Sequence, residues 1–261
     1  MTRLALYYKV LLMKSAAWQS LFASKASAPP PFPWDESYSL TASERELVTD
    51  SLQQFQLGEG SEGRGLKERA KASALAKKDP DFLPTLNLFI REEQRHSSDL
   101  GSFMDREGIE RLKHHWVDGV FRRVRKLAGL ELSLSVLVTA EIVAVPYYAA
   151  LAEATASPLL KAICSRILDD EMDHLRYQSQ NLSQLRATRR WHSDFGEWIA
   201  RSLLMLGALA IVWKQHHRLF RAGGYSWTKF RCECELLLDD VATGAITKTV
   251  YRRLGWSQSE S

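Results

Sequence analysis

Cysteine is scarce in this sequence, and neither sign of charge is in strong excess. The 261 residues include three cysteines, Cys164, Cys232 and Cys234, which form no disulfide framework and fit a reducing compartment. The 35 Lys and Arg residues nearly balance 31 Asp and Glu residues, and no nucleic-acid-binding motif accompanies the short basic patches. We therefore expect a cytoplasmic protein that does not bind nucleic acid.

We do not expect the N-terminal stretch to be a secretory leader. The stretch from Leu4 to about Phe22 is apolar and basic and predicts a helix, but it does not end in a small-residue cleavage site. The prolines between Ala28 and Trp34 then predict an extended linker. We expect residues 1–40 to form a helical arm that packs on its own bundle or on a sister subunit, with peripheral contact to a membrane surface as the alternative.

The sequence does contain a short motif that occurs twice. Glu93-Gln94-Arg95-His96 and Glu171-Met172-Asp173-His174 both have the pattern Glu-x-x-His. Residues three apart share a face of a helix, so each copy can direct one carboxylate and one imidazole at a common centre. An acidic residue in an apolar stretch precedes each copy by about thirty residues. This constellation predicts a metal site inside a helix bundle.

The upstream acid is clear in one half of the chain and ambiguous in the other. Glu141 stands alone in a strongly apolar stretch, whereas the first half offers both Glu59 and Glu62. Glu62 keeps the symmetry better, because it precedes Glu93 by nearly the same distance as Glu141 precedes Glu171. We favour Glu62 as the ligand, and Glu59 is the alternative.

Capping residues and prolines predict where the first two bundle helices begin. Thr41 or Ser43 can cap the first helix, whose apolar stripe is expected to continue to Leu66. Asp79 or Asp81 can cap the second helix. Glycines are dense around the two candidate acids, which suggests close packing or a functional distortion there.

The later helices are predicted from apolar stretches and from prolines and glycines at their ends. The third bundle helix should cover about 130–155 and contain Pro146, which is expected to kink it and open a cavity beside Glu141. Ser157-Pro158 predicts the start of the fourth bundle helix. Beyond it, an apolar helix is predicted from Trp198 through Trp213, with the weak ligand candidates His216-His217 at its cationic end and Gly223-Gly224 closing it. A final helix is predicted over 232–252.

A metal explains the repeated motif better than a solvated helix face does. Burying unpaired carboxylates costs several kcal/mol each, whereas two divalent cations neutralise four of them. Metal-bound histidines usually donate their other N–H to a carboxylate. Asp170 and Glu92 each precede a ligand glutamate, so we predict that Asp170 contacts His96 and that Glu92 contacts His174.

The two motifs resemble those of the ferritin-like di-iron carboxylate superfamily. Glu92-Glu93-x-Arg95-His96 and Asp170-Glu171-x-x-His174 are similar to the paired motifs of rubrerythrins, acyl-carrier-protein desaturases and aldehyde-deformylating oxygenases. The resemblance covers roughly residues 44–185. The chain differs from desaturases in length and from ferritins in its long C-terminal extension, so no substrate class carries over.

The expected fold is all-α. A ferritin-like four-helix bundle with a long crossover should occupy residues 41–186. The helical arm of 1–40 precedes it, and a C-terminal helical extension over 187–261 should pack on the bundle.

The resemblance implies two bound iron ions, with manganese or a mixed iron and manganese pair as alternatives. The expected ligands are Glu62 (or Glu59), Glu93, His96, Glu141, Glu171 and His174. We expect a non-haem oxidase or oxygenase that uses dioxygen to oxidise a hydrophobic organic substrate. A ferroxidase or peroxide-reducing protein, and a non-catalytic metal-stabilised binding protein, are the alternatives.

Further expectations concern the surroundings of the site. Tyr147 and Tyr148 follow Glu141 by one to two turns, and each is either a proton or electron donor or an aromatic residue packed in the core. The chain is expected to be a monomer or a homodimer. An electron-donor protein is a further possible partner.

Overall fold

A computed structural model of the chain describes residues 13–27, 31–60, 63–114, 129–187 and 194–243. These residues form helices joined by turns and loops, and they contain no strand, which confirms the all-α class. The helices are α1 (Ser15–Ser27), α2 (Ala42–Glu59), α3 (Arg64–Lys71), α4 (Ala74–Lys78), α5 (Phe82–Arg106), α6 (Leu130–Ala154), α7 (Pro158–Ala187), α8 (Asp194–Ala222) and α9 (Trp227–Thr243).

The N-terminus of α2 is closed by one of the two predicted caps. The Thr41 side chain accepts a hydrogen bond from the Glu44 backbone, and the Glu44 side chain accepts one from the Thr41 backbone. Glu44 also accepts hydrogen bonds from the Tyr38 hydroxyl at 2.6 Å and from the Ala156 N–H at 2.8 Å. This one carboxylate therefore joins the linker, α2 and the turn between α6 and α7.

The prediction that one helix continues to Leu66 is wrong. α2 ends at Glu59, and Leu66 belongs to the separate helix α3. Gly63 has a left-handed φ of 62°, and a Cβ there would lie 2.7 Å from Ile90 Cδ1. Only glycine satisfies both conditions without strain. The break leaves Glu59 in the last turn of α2.

The two helices that carry the Glu-x-x-His motifs begin as the sequence indicates. α5 begins at Phe82 with Asp81 as the N-cap residue, the second of the two predicted alternatives, so that Pro84 lies in the first turn. α7 begins at Pro158, and the Ser157 hydroxyl accepts a hydrogen bond from a backbone N–H in its first turn at 3.2 Å. Each motif therefore lies well inside a long helix.

Helix α6 lies at the centre of the molecule. It spans Leu130–Ala154, in agreement with the predicted third bundle helix, and it contains Pro146. Among the described residues, it is the helix that is long and apolar enough to cross a membrane, yet 89% of its apolar window is buried inside the protein. It packs against α7, α8 and α9, as a core helix does.

The helices that carry the predicted ligands pack against one another. α2 contacts α5, α6 contacts α7, and α5 also contacts α7. α1 packs on α5, and the Trp18 indole N–H donates to Gln180 Oε1 on α7 at 3.0 Å. The part of the N-terminal arm that forms α1 therefore packs on its own chain, which is one of the two predicted arrangements. Residues 1–12 lie outside the described residues.

Two boundaries in the C-terminal region were predicted wrongly. α8 begins at Asp194 rather than at Trp198, and it ends at Ala222, directly before the glycines Gly223-Gly224 that were predicted to close it. α9 begins at Trp227 rather than at residue 232, since the Ser226 hydroxyl accepts a hydrogen bond from the backbone N–H of its first turn at 3.1 Å. The predicted end of this helix, like residues 115–128 of the crossover, lies outside the described residues.

Candidate metal centre

Acidic and imidazole side chains from three helices converge at one buried point. One ligand atom from each of Glu59 on α2, Glu93 and His96 on α5, and Glu171 on α7 lies within 4.8 Å of the other three. His174 on α7 joins this group, because its Nδ1 lies 2.8 Å from Glu93 Oε1. The packing of α2, α5 and α7 thus unites both Glu-x-x-His motifs.

Glu171 lies between the two imidazole rings. Its Oε1 is 3.7 Å from His96 Nδ1, and its Oε2 is 3.7 Å from His174 Nδ1. Both imidazoles are completely buried, and their ring centroids are 5.6 Å apart. Each histidine therefore presents its Nδ1 to the same carboxylate.

Glu141 contributes a further carboxylate from α6. Its side chain is 4% exposed, and within the described part of the chain neither of its oxygens has a hydrogen-bond partner of good geometry. Burial and the negative charge of Glu171 raise its pKa well above the ordinary value. Glu141 therefore belongs to the same cluster of charges.

On α2, the carboxylate in the cluster is that of Glu59, the alternative in the sequence analysis. The Tyr148 hydroxyl donates a hydrogen bond to Glu59 Oε1 at 2.6 Å, which fixes the orientation of the carboxylate. Glu62, which the sequence analysis favoured, lies outside the described residues.

Several buried atoms of this cluster have no hydrogen-bond partner of good geometry in the described part of the chain. They are Glu93 Oε1, His96 Nδ1, both carboxylate oxygens of Glu141, Glu171 Oε2 and His174 Nδ1. Buried polar atoms without partners cost from about 1 to several kcal/mol each, and such groups are rare in folded proteins. A cation would satisfy these lone pairs together, so the residues present fit a metal.

The pKa values of several side chains in the cluster are raised, which favours their protonated forms. Burial and neighbouring carboxylates raise the pKa of Glu59 well above its usual range and also raise that of Glu171. Burial lowers the pKa of His174, but its contacts with Glu171 and Glu92 outweigh this effect and raise it well above the ordinary value. A bound metal would displace these protons.

Each histidine is oriented by a carboxylate from the other motif. His96 Nε2 lies 3.0 Å from Asp170 Oδ2, and His174 Nε2 lies 3.1 Å from Glu92 Oε2, so both predicted contacts are present. An ionised carboxylate only accepts hydrogen bonds, so each ring donates its Nε2–H outward. This arrangement leaves Nδ1 of each ring directed at the cluster.

Two cations stabilise these outer carboxylates, and the sequence analysis assigned a role to neither. Arg95 Nη2 donates to Asp170 Oδ2 at 2.7 Å and to Glu92 Oε1 at 3.2 Å. Lys25 on α1 lies 3.1 Å from Asp170 Oδ1. Burial favours the neutral acid, but the bond to His96 and the charge of Lys25 hold the pKa of Asp170 well below its usual range.

The two neighbouring tyrosines have different surroundings. Both are completely buried, but only Tyr148 contacts the cluster, through Glu59. The Tyr147 ring stacks on Phe55, with centroids 3.3 Å apart, and its hydroxyl has no hydrogen-bond partner within the described residues. Tyr148 is thus a site residue, whereas Tyr147 is packed in the core behind it.

The weak ligand candidates on α8 lie elsewhere. His216 Nδ1 is 2.8 Å from the Ser51 hydroxyl, and its ring packs against Phe55. His217 Nδ1 lies near the Lys214 carbonyl at 3.2 Å. His216 therefore has a packing role between α8 and α2.

No family model matches the chain, and comparisons with curated proteins and with solved structures found no match. The chemistry of the site therefore has to be inferred from its own residues.

Proposed function

We propose that the chain is a ferritin-like di-metal protein that activates dioxygen to oxidise a hydrophobic organic substrate. α2, α5, α6 and α7 would be the four helices of its bundle. The observation that supports this most directly is the group of buried carboxylate and imidazole atoms of Glu93, His96, Glu141, Glu171 and His174 that have no hydrogen-bond partner of good geometry in the described part of the chain.

The donor set favours iron or manganese. The proposed ligands are Glu59, Glu93, His96, Glu141, Glu171 and His174. Four carboxylates with two imidazoles and no thiolate suit redox-active divalent metals that prefer oxygen and nitrogen donors. Two divalent cations also balance four negative charges, so a pair of ions explains how this many acids can be buried together.

A bound pair of such ions would supply the one-electron redox chemistry needed to reduce dioxygen. The residues of the chain would hold and orient the site. Asp170 and Glu92 fix the imidazoles, and Tyr148 fixes Glu59. A rigid, dry surrounding of this kind preserves the geometry of the ligands and keeps water from competing reactions.

Aromatic side chains pack against one proposed ligand, and apolar residues are close to another in sequence. The Phe89 and Phe22 rings pack edge-on against His174, with centroids 4.7 Å and 6.0 Å away. On α6, Ile142 and Val145 are completely buried next to Glu141 in sequence. These surroundings favour a hydrophobic substrate, for which we expect access from the side of α6 near Pro146.

Metal content tests the first part of this proposal. Protein produced with iron should hold about two metal ions per chain, as expected for a six-ligand bundle site. The double variant Glu93→Gln, Glu171→Gln should lose them. The control, Asp105→Asn with Glu153→Gln, changes exposed acids on α5 and α6 and should keep them. Full metal occupancy in the first variant would exclude this site.

Dioxygen consumption tests the second part. Iron-loaded protein with a reductant should consume dioxygen faster when candidate hydrophobic substrates are added, and oxygenated or desaturated products should be found. Iron loading far above two ions per chain, together with a large hollow assembly in sedimentation, would instead support a ferroxidase that stores iron.

A further inference from the structure

We propose that aromatic side chains of α6, α8 and α9 carry single electrons between the metal centre and the protein surface at Trp227. This inference rests on the proposed function, because it assigns the route by which the centre is reduced. The electron would come from a soluble one-electron donor.

The need for a route follows from the burial of the centre. His96 and His174 are completely buried, and Glu171 is 1% exposed. A donor in solution cannot touch these three side chains, although the side chain of the proposed ligand Glu93 is 17% exposed. Because the rate of electron transfer falls steeply with distance through protein, closely spaced aromatic rings between centre and surface would accelerate it.

The inner end of the route is a direct contact with a proposed ligand. The Tyr148 hydroxyl donates to Glu59 Oε1 at 2.6 Å. The Tyr148 and Tyr147 rings are 5.1 Å apart, and the Tyr147 and Phe220 rings are 6.4 Å apart. The route thus passes from α2 through α6 to α8.

The outer end of the route reaches solvent. The ring of Phe220 lies 5.6 Å from that of Trp213, which in turn lies 5.6 Å from that of Trp227. These spacings lie within the range of direct aromatic contact. Trp227 is 39% exposed, so a donor can touch the last ring of the series.

A second aromatic cluster, which contacts His174, has no such exit in the described part of the chain. Phe22 and Phe89 pack against His174 and continue to Trp18 and Tyr177. Trp18 and Tyr177 are both buried. Simple core packing would explain either cluster, but only the cluster of α6, α8 and α9 joins a ligand to an exposed indole.

In the reduction of a ferric ion, every ring of the route would serve as a bridge through which the electron passes. In each transfer the donor loses one electron and a bound ferric ion gains one. The side chains end unchanged, and the proton of Tyr148 remains in its hydrogen bond to Glu59. When a strong oxidant acts on the surface, the easily oxidised indoles of Trp213 and Trp227 would lose an electron first, and the phenols of Tyr147 and Tyr148 would then be oxidised through the same contacts.

The first experiment uses the metal-free protein. Illumination with ruthenium tris-bipyridine and persulfate oxidises exposed indoles, and Tyr147 and Tyr148 are too deeply buried for direct attack. Peptide mass spectrometry should find oxidation products on these tyrosines in the wild type. Trp227→Phe should remove them, whereas Trp34→Phe, whose indole is also 39% exposed, should not. Equal products in both variants, or none in the wild type, would overturn the proposal.

Trp213→Phe provides a second variant for the same test. It keeps an aromatic ring between α8 and α9, so it should preserve the packing but remove one easily oxidised indole from the route. The same loss of products on Tyr147 and Tyr148 is expected. Because this test needs no metal, its result stands even if the proposed function is wrong.

The second experiment uses the iron-loaded protein, with its iron content measured in parallel. Stopped-flow reduction of the ferric centre by reduced methyl viologen should be slower in Trp227→Phe than in Trp34→Phe. It should also be slower in Tyr148→Phe than in Tyr147→Phe, because only the Tyr148 hydroxyl contacts Glu59. Normal iron content with identical rates in each pair would refute the route. A lack of bound iron in the wild type would refute the proposed function and leave the metal-free experiment to decide.

Discussion

His96 on α5 donates its Nε2 hydrogen to Asp170 on α7, and the two atoms are 3.0 Å apart. The reciprocal pair, His174 and Glu92, has the same arrangement at 3.1 Å. Each histidine is therefore oriented by the helix that carries the other motif. The proposed metal centre could form only when α5 and α7 are packed together, which would couple metal binding to the fold.

The Asp170 contact gives the first prediction. Asp170→Asn should weaken metal binding by roughly 10–100-fold, because the loss of a carboxylate behind a ligating histidine has typically had that effect. A competitive titration against a chelator measures the affinity. Asp173→Asn is the control, since Asp173 also pairs with Lys25 but is not hydrogen bonded to an imidazole in the described residues. Equal affinities in the two variants would show that the contact is dispensable.

The identity of the ligand on α2 gives the second prediction. Glu59→Gln should lower the metal content below that of the wild type, because an amide cannot replace a charged carboxylate in the cluster. Glu62→Gln should leave the content unchanged. Inductively coupled plasma mass spectrometry of purified protein measures both. Loss of metal only in Glu62→Gln would restore the interpretation that the sequence symmetry favoured.

The sequence was sufficient to predict the paired motifs and their reciprocal contacts. Both depend on local helical periodicity, which brings Glu93 near His96 and Glu171 near His174 once the helices form. The apolar stretch around Glu141 likewise predicted the bounds of α6. The prediction of these features does not depend on which distant segments of the chain contact one another.

The features that were missed depend on tertiary contacts or on backbone breaks. The apolar stripe predicted a first helix that continued to Leu66, but Gly63 adopts a left-handed conformation and α2 ends at Glu59. The preference for Glu62 as a ligand stays a prediction, because Glu62 lies outside the described residues. Lys25 lies 145 residues from Asp170 in the chain, so no local pattern connects them. Arg95, in contrast, lies inside the first motif, so its contact with the outer carboxylates could have been predicted from the sequence.

The carboxylate of Glu44 gives a prediction about pH. Burial opposes its charge, but hydrogen bonds from the Ala156 N–H and the Tyr38 hydroxyl lower its pKa to about 2, from 4.5. Its folded pKa is depressed, so its stabilisation is complete above pH 4.5 and is lost as the pH falls towards 2. Glu44→Gln should therefore destabilise the protein by about 1 kcal/mol near neutral pH, as the loss of a helix cap does.

Thermal unfolding of wild type and variant across this pH range measures the effect. The difference in melting temperature should shrink as the pH falls from 4.5 towards 2. Glu46→Gln, on the same helix but in an exposed pair with Arg218, is the control and should show a much smaller difference. A difference for Glu44→Gln that stays constant with pH would contradict the assignment.

The close approach of α8 to α6 gives the last prediction. Gly223 follows α8, and a Cβ at this position would overlap the backbone carbonyl, Cα and carbonyl carbon of Ala150. Backbone atoms cannot rotate aside as a side chain can. Gly223→Ala should therefore push the end of α8 away from α6, at a cost of roughly 1–3 kcal/mol, as overpacking does.

Gly207→Ala is a matched control on α8, because nothing lies within 4 Å of its new methyl group. This control should raise the free energy of unfolding by roughly 0.5–1 kcal/mol, since alanine favours a helix interior. Urea denaturation measures both values, and stabilisation by both variants would show that the two helices do not approach so closely.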